Sequence, residues 1–589
     1  MRLKQPTLLV IVAATAALAA GFSRTPLWDE DEPRFAAIAR AMVESGDWVV
    51  PMYNDTLAVD KPVLMHWCMA AAMTVFGPHE FAARLPSALA VLATALALLR
   101  AGRRWFDVET GVVAALAYVG CLMVGIEAHA ATPDAILVAL TAWATVLAAE
   151  PFLPDRRAGT APPPGGPLPL LSVPRAAAIG GLGGLAVVCK GPIGVVGPAA
   201  VIVPWVVWLA LDRRRAAGDR LVPALLPAAW TALRAIRPLT ILAATLAVAA
   251  PWYVAVSLRT AGAWPAGFFF VHNVGRFLSP MEKHGGSVLF HPLTMLVGFY
   301  PWSCFLPLAI VVAGWRLWRR TVPPALAATL GLLLAWLVVW VGGFSAAATK
   351  LPNYILPAYP AAALLVAALG VAAARGAAVA RWQHGWWLAS GLGWLAFGGA
   401  ATAATVLVAT RHGLPGAEPA ALVGLVPVGG AIVCGWLARR QPQAALAALV
   451  LTGLLYTTLA VGPAAGRLAG ANTLPALVRE MQARHGGAAR LGTYLVGSPN
   501  VVFYSSGHVR QFIMEHDANA ARFLQTGGDA ILLVPADRYD EIAAMLPEGW
   551  GVLGRTRPLF RKHDVLAVGE LAAGTPATPR TAAAPEVTR

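Results

Sequence analysis

The chain has 589 residues, 58% of them hydrophobic and only 13% charged, with a mean hydropathy of +0.63. That composition excludes an ordinary soluble domain and defines a polytopic membrane protein. The formal charge of +15 does not mark a nucleic-acid partner, because the arginines stand in short clusters between apolar runs, where they act as topology signals.

A helix needs about 20 apolar residues to cross a bilayer. Thirteen stretches qualify, at 5–23, 84–101, 110–127, 132–150, 174–190, 192–211, 237–257, 291–314, 323–344, 355–374, 386–409, 419–438 and 444–462. The first follows Met1-Arg-Leu-Lys4 and has a cleavage-like Ala17-Leu-Ala19, but so many spans come after it that it reads as an uncleaved helix with a cytoplasmic N-terminus. The even-numbered connections are then the basic ones: Arg100/Arg103/Arg104, Arg156/Arg157/Arg175, Arg213 to Arg215 with Arg220, Arg234 and Arg237, Arg316/Arg319/Arg320, Arg375/Arg381 and Arg439/Arg440. One orientation satisfies all six, and an odd span count leaves the C-terminus outside. The five cysteines, Cys68, Cys121, Cys189, Cys304 and Cys434, lie in or beside apolar stretches at unrelated spacings and suggest neither a disulfide frame nor a thiolate metal site.

The first outer loop, 24–83, begins with four carboxylates, Asp29 to Glu32, a concentration of a scarce residue class. Arg34 to Met42 and Leu64 to Phe76 have one greasy face each and predict helices lying in the interface plane, at the depth that suits Trp28, Trp48 and Trp67. Gly46-Asp-Trp48 and Tyr53-Asn-Asp55 are turn chemistry. Loop 151–175, with Pro162-Pro-Pro-Gly-Gly-Pro167, is a flexible cytoplasmic linker. A second large outer loop, 258–290, carries Phe268-Phe-Phe-Val-His272-Asn-Val-Gly-Arg276-Phe277 and His284, and outer loop 345–354 carries Lys350-Leu-Pro-Asn-Tyr354. The membrane unit ends near residue 463. Residues 464–571 alternate helical pieces (Leu474 to His485, Asp537 to Leu546) with apolar runs (Leu491 to Val496, Ala530 to Val534, Asp564 to Val568), predicting a small α/β domain. The Ala/Pro/Thr-rich tail, 572–589, is expected to be disordered.

This topology puts Asp31, Glu32, Arg34, Asp60, Lys61, Glu127, His129, Asp134, Lys190, His272, Arg276, Lys350 and Tyr354 on one membrane surface. Glycosyl transfer from a phosphate-linked donor needs such a set. A carboxylate takes the proton of an alcohol acceptor, and fixed cations hold the departing phosphate. Asp31 is the candidate base; Lys61, Arg276 and Lys350 are candidate phosphate holders. Each has a plainer reading beside it: Asp31 as a solvated acid at a helix start, Lys61 as a snorkelling side chain, Asp134 in Thr132-Pro-Asp134 as a helix cap. His272 could ligate a divalent metal, Zn or Mg/Mn, with Asp60 or Glu32, although no pair stands at ligand spacing.

An ordered set of motifs carries a resemblance. It comprises Asp31-Glu-Pro-Arg-Phe-Ala36, Met42-Val-Glu-Ser-Gly-Asp-Trp-Val-Val-Pro51, Asp60-Lys-Pro62 with Trp67, Phe76-Gly77, Phe81-Ala-Ala-Arg-Leu-Pro86, Asp134, His272-Asn-Val-Gly-Arg-Phe277, Pro301-Trp302 and Thr349-Lys-Leu-Pro-Asn-Tyr-Ile-Leu-Pro357. The chain thereby resembles the lipid-dependent glycosyltransferases of the GT-C fold, in particular the protein O-mannosyltransferase and aminoarabinose transferase group. The resemblance implies a mainly α GT-C fold of about thirteen transmembrane helices with periplasmic interfacial helices and a small periplasmic α/β domain at the C-terminus. It implies a polyprenyl-phosphate sugar donor, a lipid A or other periplasmic acceptor, and inverting transfer at the periplasmic face of the bacterial inner membrane. Asp31 would be the principal catalytic carboxylate, with Glu32 beside it and Asp134 a second acid. Lys61, Arg34 and Arg276 would lie near the lipid phosphate, and Lys350 and Tyr354 would line the same cavity. The family usually has Glu where Asp60 stands and often Tyr where Phe35 stands, which puts a metal on Asp60 and His272 in doubt. The expected sugar is 4-amino-4-deoxy-L-arabinose, carried from undecaprenyl phosphate. A protein or another glycan is the alternative acceptor. A lipid or solute transporter is the rival from another class, but it would show inverted repeats and midplane charges, and neither is visible here.

Overall fold

The computed structural model describes residues 5–571 apart from 23–24, 29, 156–166, 276–284, 377–380, 412–413, 415, 485–488, 498, 506–507, 515–517, 526–528, 545, 547 and 559–562. Among the described residues ten helices are long and apolar enough to cross a membrane: Glu80–Trp105, Asp134–Phe152, Val173–Lys190, Ile193–Ala216, Pro238–Arg259, Pro324–Ala346, Pro352–Ala374, Leu388–Arg411, Glu418–Ala438 and Pro442–Ala469. Each falls on one of the thirteen expected stretches. The other three stretches are irregular, each for a visible reason.

The first, α1 (Pro6–Ala19), has 14 residues, about 21 Å of helix against a hydrocarbon core of about 30 Å. The third is broken into Val108–Val119 and Leu122–Ala128, bent by 66°. The eighth is interrupted between Phe290–Gly298 and Leu306–Trp318, where Pro301 has no N–H to continue a helix. The two breaks meet: the Leu122 N–H donates to the Tyr300 carbonyl at 2.9 Å. Nearby, the Tyr300 hydroxyl donates to the Leu395 carbonyl and Ser303 Oγ to the Leu296 carbonyl, both at 2.6 Å. Irregular backbone at this depth is stable where protein groups, rather than lipid, face the freed carbonyls. Glycine also lets Glu80–Trp105 and Val108–Val119 pack closely where they join: a Cβ on Gly102 would sit 2.4 Å from the Gly111 Cα.

The first outer loop folds as expected into two helices, α2 (Asp31–Ser45) and α3 (Leu64–Phe76). Gly46 closes α2 in the left-handed conformation (φ 72°), with its N–H on the Met42 carbonyl. Between them β1 (Met52–Tyr53) and β2 (Thr56–Leu57) form an antiparallel hairpin whose tip, Asn54-Asp55, has φ of 47° and 65°, the pair of positive angles that twisted two-residue turns require. Indole N–H groups pin this loop down. Trp67 donates to the Trp48 carbonyl (2.7 Å), Trp252 to Val49 (3.0 Å) and Trp264 to Ala58 (2.7 Å). The last two residues come from the helix before the second outer loop and from that loop itself, so the two loops form one roof. A further helix, Leu221–Ile236, leaves Leu221, Val222, Leu226 and Trp230 exposed. Its flanking arginines mark a connection in the sequence, but the connection is helical and its apolar stripe suits the interface plane.

Past the last long helix a five-stranded mixed sheet forms from β3 (Arg490–Tyr494), β4 (Arg510–Phe512), β5 (Ala530–Pro535), β6 (Trp550–Thr556) and β7 (Val565–Glu570), in the order β4-β3-β5-β7-β6. The β3–β4 and β3–β5 pairings are parallel; β5–β7 and β6–β7 are antiparallel. This unit is docked on the first outer loop. Arg40, on α2, donates to the carbonyls of Val502, Phe503 and Ser505 at 2.5 to 3.2 Å, at the C-terminal end of helix Pro499–Tyr504, where carbonyls run out of helical N–H partners. The Asn54 side chain exchanges two hydrogen bonds with the Val509 backbone. The Tyr504 hydroxyl accepts the Leu27 N–H and donates to Glu80, both at 2.9 Å.

Candidate active site

Three stretches of the first outer loop build the site. Asp31 is the first residue of α2 and is exposed, while Glu32 beside it is 4% exposed. Anions are favoured at a helix N-terminus, so both fit α2, but they face different surroundings. Glu32 points inward and is fully engaged: it accepts Arg84 Nε at 3.2 Å and Nη2 at 2.7 Å, and the N–H groups of Trp28 and Ala131 at 2.7 Å. The expectation that Glu32 acts catalytically is therefore corrected. Its oxygens are taken by a buried bidentate pair and two backbone donors, and what it does is tie the start of α2 to the segment ahead of Asp134.

Arg34 reaches back across the loop to Asp60, Nη2 to Oδ1 at 3.3 Å, with its guanidinium 5.0 Å from the Tyr53 ring centroid. Lys61 Nζ lies 3.3 Å from the Asp60 carbonyl. Arg34 is 39% exposed, so the pair contributes little to stability. Its significance is the local charge, one carboxylate between two cations. Burial alone would raise the Asp60 carboxyl, yet Lys61 and Arg34 outweigh it and hold its pKa below the ordinary value. This arrangement does not fit a divalent cation, because the Asp60 carboxylate already faces two fixed positive charges. Among the described residues no three His, Cys, Asp or Glu side chains gather in a metal-holding group. His272 sits half-buried in the helical segment Gly267–Gly275 of the second loop. Arg276 and His284 lie outside the described residues.

A second cluster lies where four chain segments converge. Asp134, 5% exposed at the start of its span, forms an ion pair with Lys190, the last residue of Val173–Lys190. Its other oxygen accepts Asn353 Nδ2 at 3.2 Å. The Lys190 ammonium stands 5.1 Å from the Tyr354 ring centroid. Glu127 is buried just behind and accepts the Thr132 hydroxyl at 2.7 Å. Glu32 links the two clusters through Ala131, three residues before Asp134. The helix-cap reading of Asp134 thus gives way to a buried ion pair with Lys190, a residue the topology puts on the same membrane surface, while Asn353 lies within the Lys350-Leu-Pro-Asn-Tyr354 motif without a role assigned from sequence.

Lys350 requires the other correction. Its side chain is buried, and Nζ donates to the carbonyls of Ser345 and Ala347 at 2.6 Å and Phe344 at 3.5 Å. An ammonium with three donors placed on carbonyls at a helix end is a C-cap, and in this conformation it offers no proton to a phosphate.

Beneath the Arg34–Asp60 pair lies His66, fully buried on α3 with its ring edge-on to Phe35 at 5.8 Å. Burial, with Lys61 and Arg34 adding to it against Asp60, lowers its pKa from 6.5 to about 4. Between those values the unfolded chain binds a proton that the folded chain refuses, so stability falls as pH drops through the window, by about 3 kcal/mol at its foot. Asp60 stays ionised throughout and does not contribute there. The thermal midpoint in detergent is expected to decline from pH 6.5 to pH 4.5, and His66→Gln is expected to flatten that decline; parallel curves for the two proteins would remove His66 as its source.

The comparisons with known proteins agree with this architecture. Residues 60–156 match the family model described as dolichyl-phosphate-mannose-protein mannosyltransferase. The fold is similar to that of the ArnT structure from Cupriavidus metallidurans bound to undecaprenyl phosphate, with a TM-score of 0.73 at 21% identity over 95% of this chain and 97% of that one. The chain therefore has the GT-C membrane fold. An undecaprenyl phosphate-α-4-amino-4-deoxy-L-arabinose arabinosyl transferase of Aeromonas salmonicida is 31% identical over 444 residues, 72% of each chain. Another, of Erwinia tasmaniensis, is 28% identical over 347 residues, and there the chain spans 56% of the relative's length. The chain belongs to this arabinosyl transferase family.

Proposed function

We propose that the protein moves 4-amino-4-deoxy-L-arabinose from undecaprenyl phosphate to a phosphate of lipid A, at the periplasmic face of a bacterial inner membrane. The observation that carries this reading is the arrangement at the rim: Arg34 and Lys61 flank the Asp60 carboxylate in the loop whose helix α2 begins with exposed Asp31. A departing polyprenyl phosphate is the anion such a rim suits. The bond between the anomeric carbon and the donor phosphate breaks as an oxygen of the lipid A phosphate attacks the opposite face, inverting the centre. Both oxygens belong to ionised phosphates, so no proton has to move. Asp31 then orients the acceptor and stabilises the positive charge that develops on the sugar. The arginine clusters between the spans support a cytoplasmic N-terminus and a periplasmic C-terminal sheet.

The test is purified protein in proteoliposomes supplied with sugar-loaded undecaprenyl phosphate and lipid A. Lipid A should gain one sugar mass for each bare lipid phosphate released. Sugar appearing on a protein while lipid A stays unmodified would favour the mannosyltransferase-like alternative, and countertransport without transfer would favour a transporter. In the same assay Lys61→Ala should slow transfer by about 10² to 10³-fold, the effect of removing one preorganised stabiliser of a leaving group; a loss under threefold would take Lys61 off the donor phosphate.

A further inference from the structure

One connection of the C-terminal sheet, the crossover from β3 to β4 that contains helix Pro499–Tyr504, holds the first outer loop at three separate places. The first is the entry to α2. The Tyr504 hydroxyl accepts the N–H of buried Leu27, four residues ahead of Asp31, and donates to Glu80, the first residue of the helix that carries Arg84. It therefore bridges the same two segments that the Arg84–Glu32 pair joins. The ring is fixed in turn by Arg479, whose guanidinium stands 4.4 Å from its centroid and pairs with Glu80.

The second place is the body of α2. Arg40 comes nine residues after Asp31, about 14 Å along the helix axis, and its side chain is 14% exposed. A guanidinium drawn out of water needs its donors matched, and Nη1 and Nη2 meet three carbonyls of the crossover. The third place is the hairpin tip. Asn54 pairs through both its side-chain oxygen and nitrogen with the Val509 backbone, next to Tyr53, whose ring carries the Arg34 guanidinium. Asp31 is exposed at the start of α2, so its place follows the helix backbone, and that backbone is held on both sides of Asp31 from one short piece of chain.

We propose that the β3–β4 crossover is a positioning device for sugar transfer: Tyr504 and Arg40 set the place of Asp31, and Asn54 that of Arg34, from a unit outside the membrane domain. The inference rests on the transfer reading given above. A displacement of about 1 Å at a reacting centre costs about 10²-fold in rate, so supports that touch no substrate still govern kcat.

The experiment compares Tyr504→Phe, Arg40→Lys and Asn54→Asp in the full-length protein by two measurements. Hydrogen–deuterium exchange in detergent needs no substrate. In Tyr504→Phe the amides of residues 27–35 should exchange about tenfold faster than in wild type, the loss of one hydrogen bond, while those of β5 keep their protection. In proteoliposomes Tyr504→Phe and Arg40→Lys should each lower kcat about tenfold with donor KM nearly unchanged. Asn54→Asp tolerates the left-handed backbone but loses the donor to the Val509 carbonyl. It should instead raise donor KM about threefold and spare kcat, because it loosens the hairpin under Arg34. A connection that merely stabilised the fold would reduce the amount of folded protein and leave both constants of the folded fraction alone. Wild-type exchange at 27–35 in Tyr504→Phe, or wild-type kcat in both helix variants, would overturn the proposal. If Tyr504→Phe does not fold, Arg40→Lys decides in both measurements. A wild-type protein that moves no sugar would count against the transfer reading, and the exchange result would then decide by itself whether the crossover holds α2.

Discussion

Asp31→Asn is expected to reduce sugar transfer by about 10² to 10⁴-fold, the range for removing a positioned carboxylate from a reacting centre. The substitution keeps the side chain's size and hydrogen-bonding outline and deletes only the charge. The fold should tolerate it, because Asp31 is exposed at the first position of α2 while the buried carboxylate that holds the helix start is the neighbouring Glu32. The expected signature is a collapse of kcat with donor KM nearly unchanged, since the phosphate contacts proposed for Lys61 and Arg34 are left intact. Glu30→Gln is the control: Glu30 precedes α2 by one residue, and its loss should leave transfer within about twofold if position rather than general acidity matters. Quantifying aminoarabinose-modified lipid A in proteoliposomes decides the matter. An Asp31→Asn protein with a tenth or more of the wild-type rate would remove Asp31 from the chemistry.

The contrast between Asp31 and Glu32 also shows how far the residues alone could be read. Hydropathy is local and additive, so the long spans, the two interfacial helices and strands such as Ala530–Pro535 were visible in the chain. Backbone breaks were less so: averaging over about 20 apolar residues hides the single Pro301 and the Gly120-Cys121 bend. The helix Leu221–Ile236 was missed because its flanking arginines read as topology signals. At the site, the Asp31-to-Arg34 stretch and Asp60-Lys61 stood out as charges in an apolar chain. Which of them faces solvent and which is buried depends on partners such as Arg84, 52 residues from Glu32. Lys190 and Asp134 are likewise 56 residues apart, so neither residue's neighbourhood in sequence names the other. Lys350 shows the opposite failure. It lies in a motif of the right type, but its protons are placed on carbonyls three to six residues earlier in its own loop, a local cap that looks the same in sequence as a ligand-binding lysine.

Arg84→Ala is expected to destabilise the folded protein by about 3 to 5 kcal/mol, the usual result of leaving one member of a buried ion pair uncompensated. Arg84 is 1% exposed and makes five donations: to both Glu32 oxygens, to the Thr25 carbonyl and hydroxyl at 2.8 Å, and to the Pro26 carbonyl at 3.0 Å. Arg84→Lys should recover only part of the loss, because an ammonium cannot span the carboxylate and the Thr25–Pro26 backbone at once. Glu32→Gln/Arg84→Met removes both charges, and its cost should fall below the sum of the two single changes, the excess being the coupling between them. Melting in detergent measures all five variants, the two single changes included; midpoints within one degree of wild type for Arg84→Ala would refute the assignment. Activity adds a second readout. Since Glu32 fixes both α2 and the Ala131 N–H, loosening this knot displaces Asp31 relative to Asp134, and Arg84→Lys should lose transfer even at temperatures where it is fully folded. A lysine variant that is less stable yet fully active when folded would mean that the pair supports the loop without positioning the site.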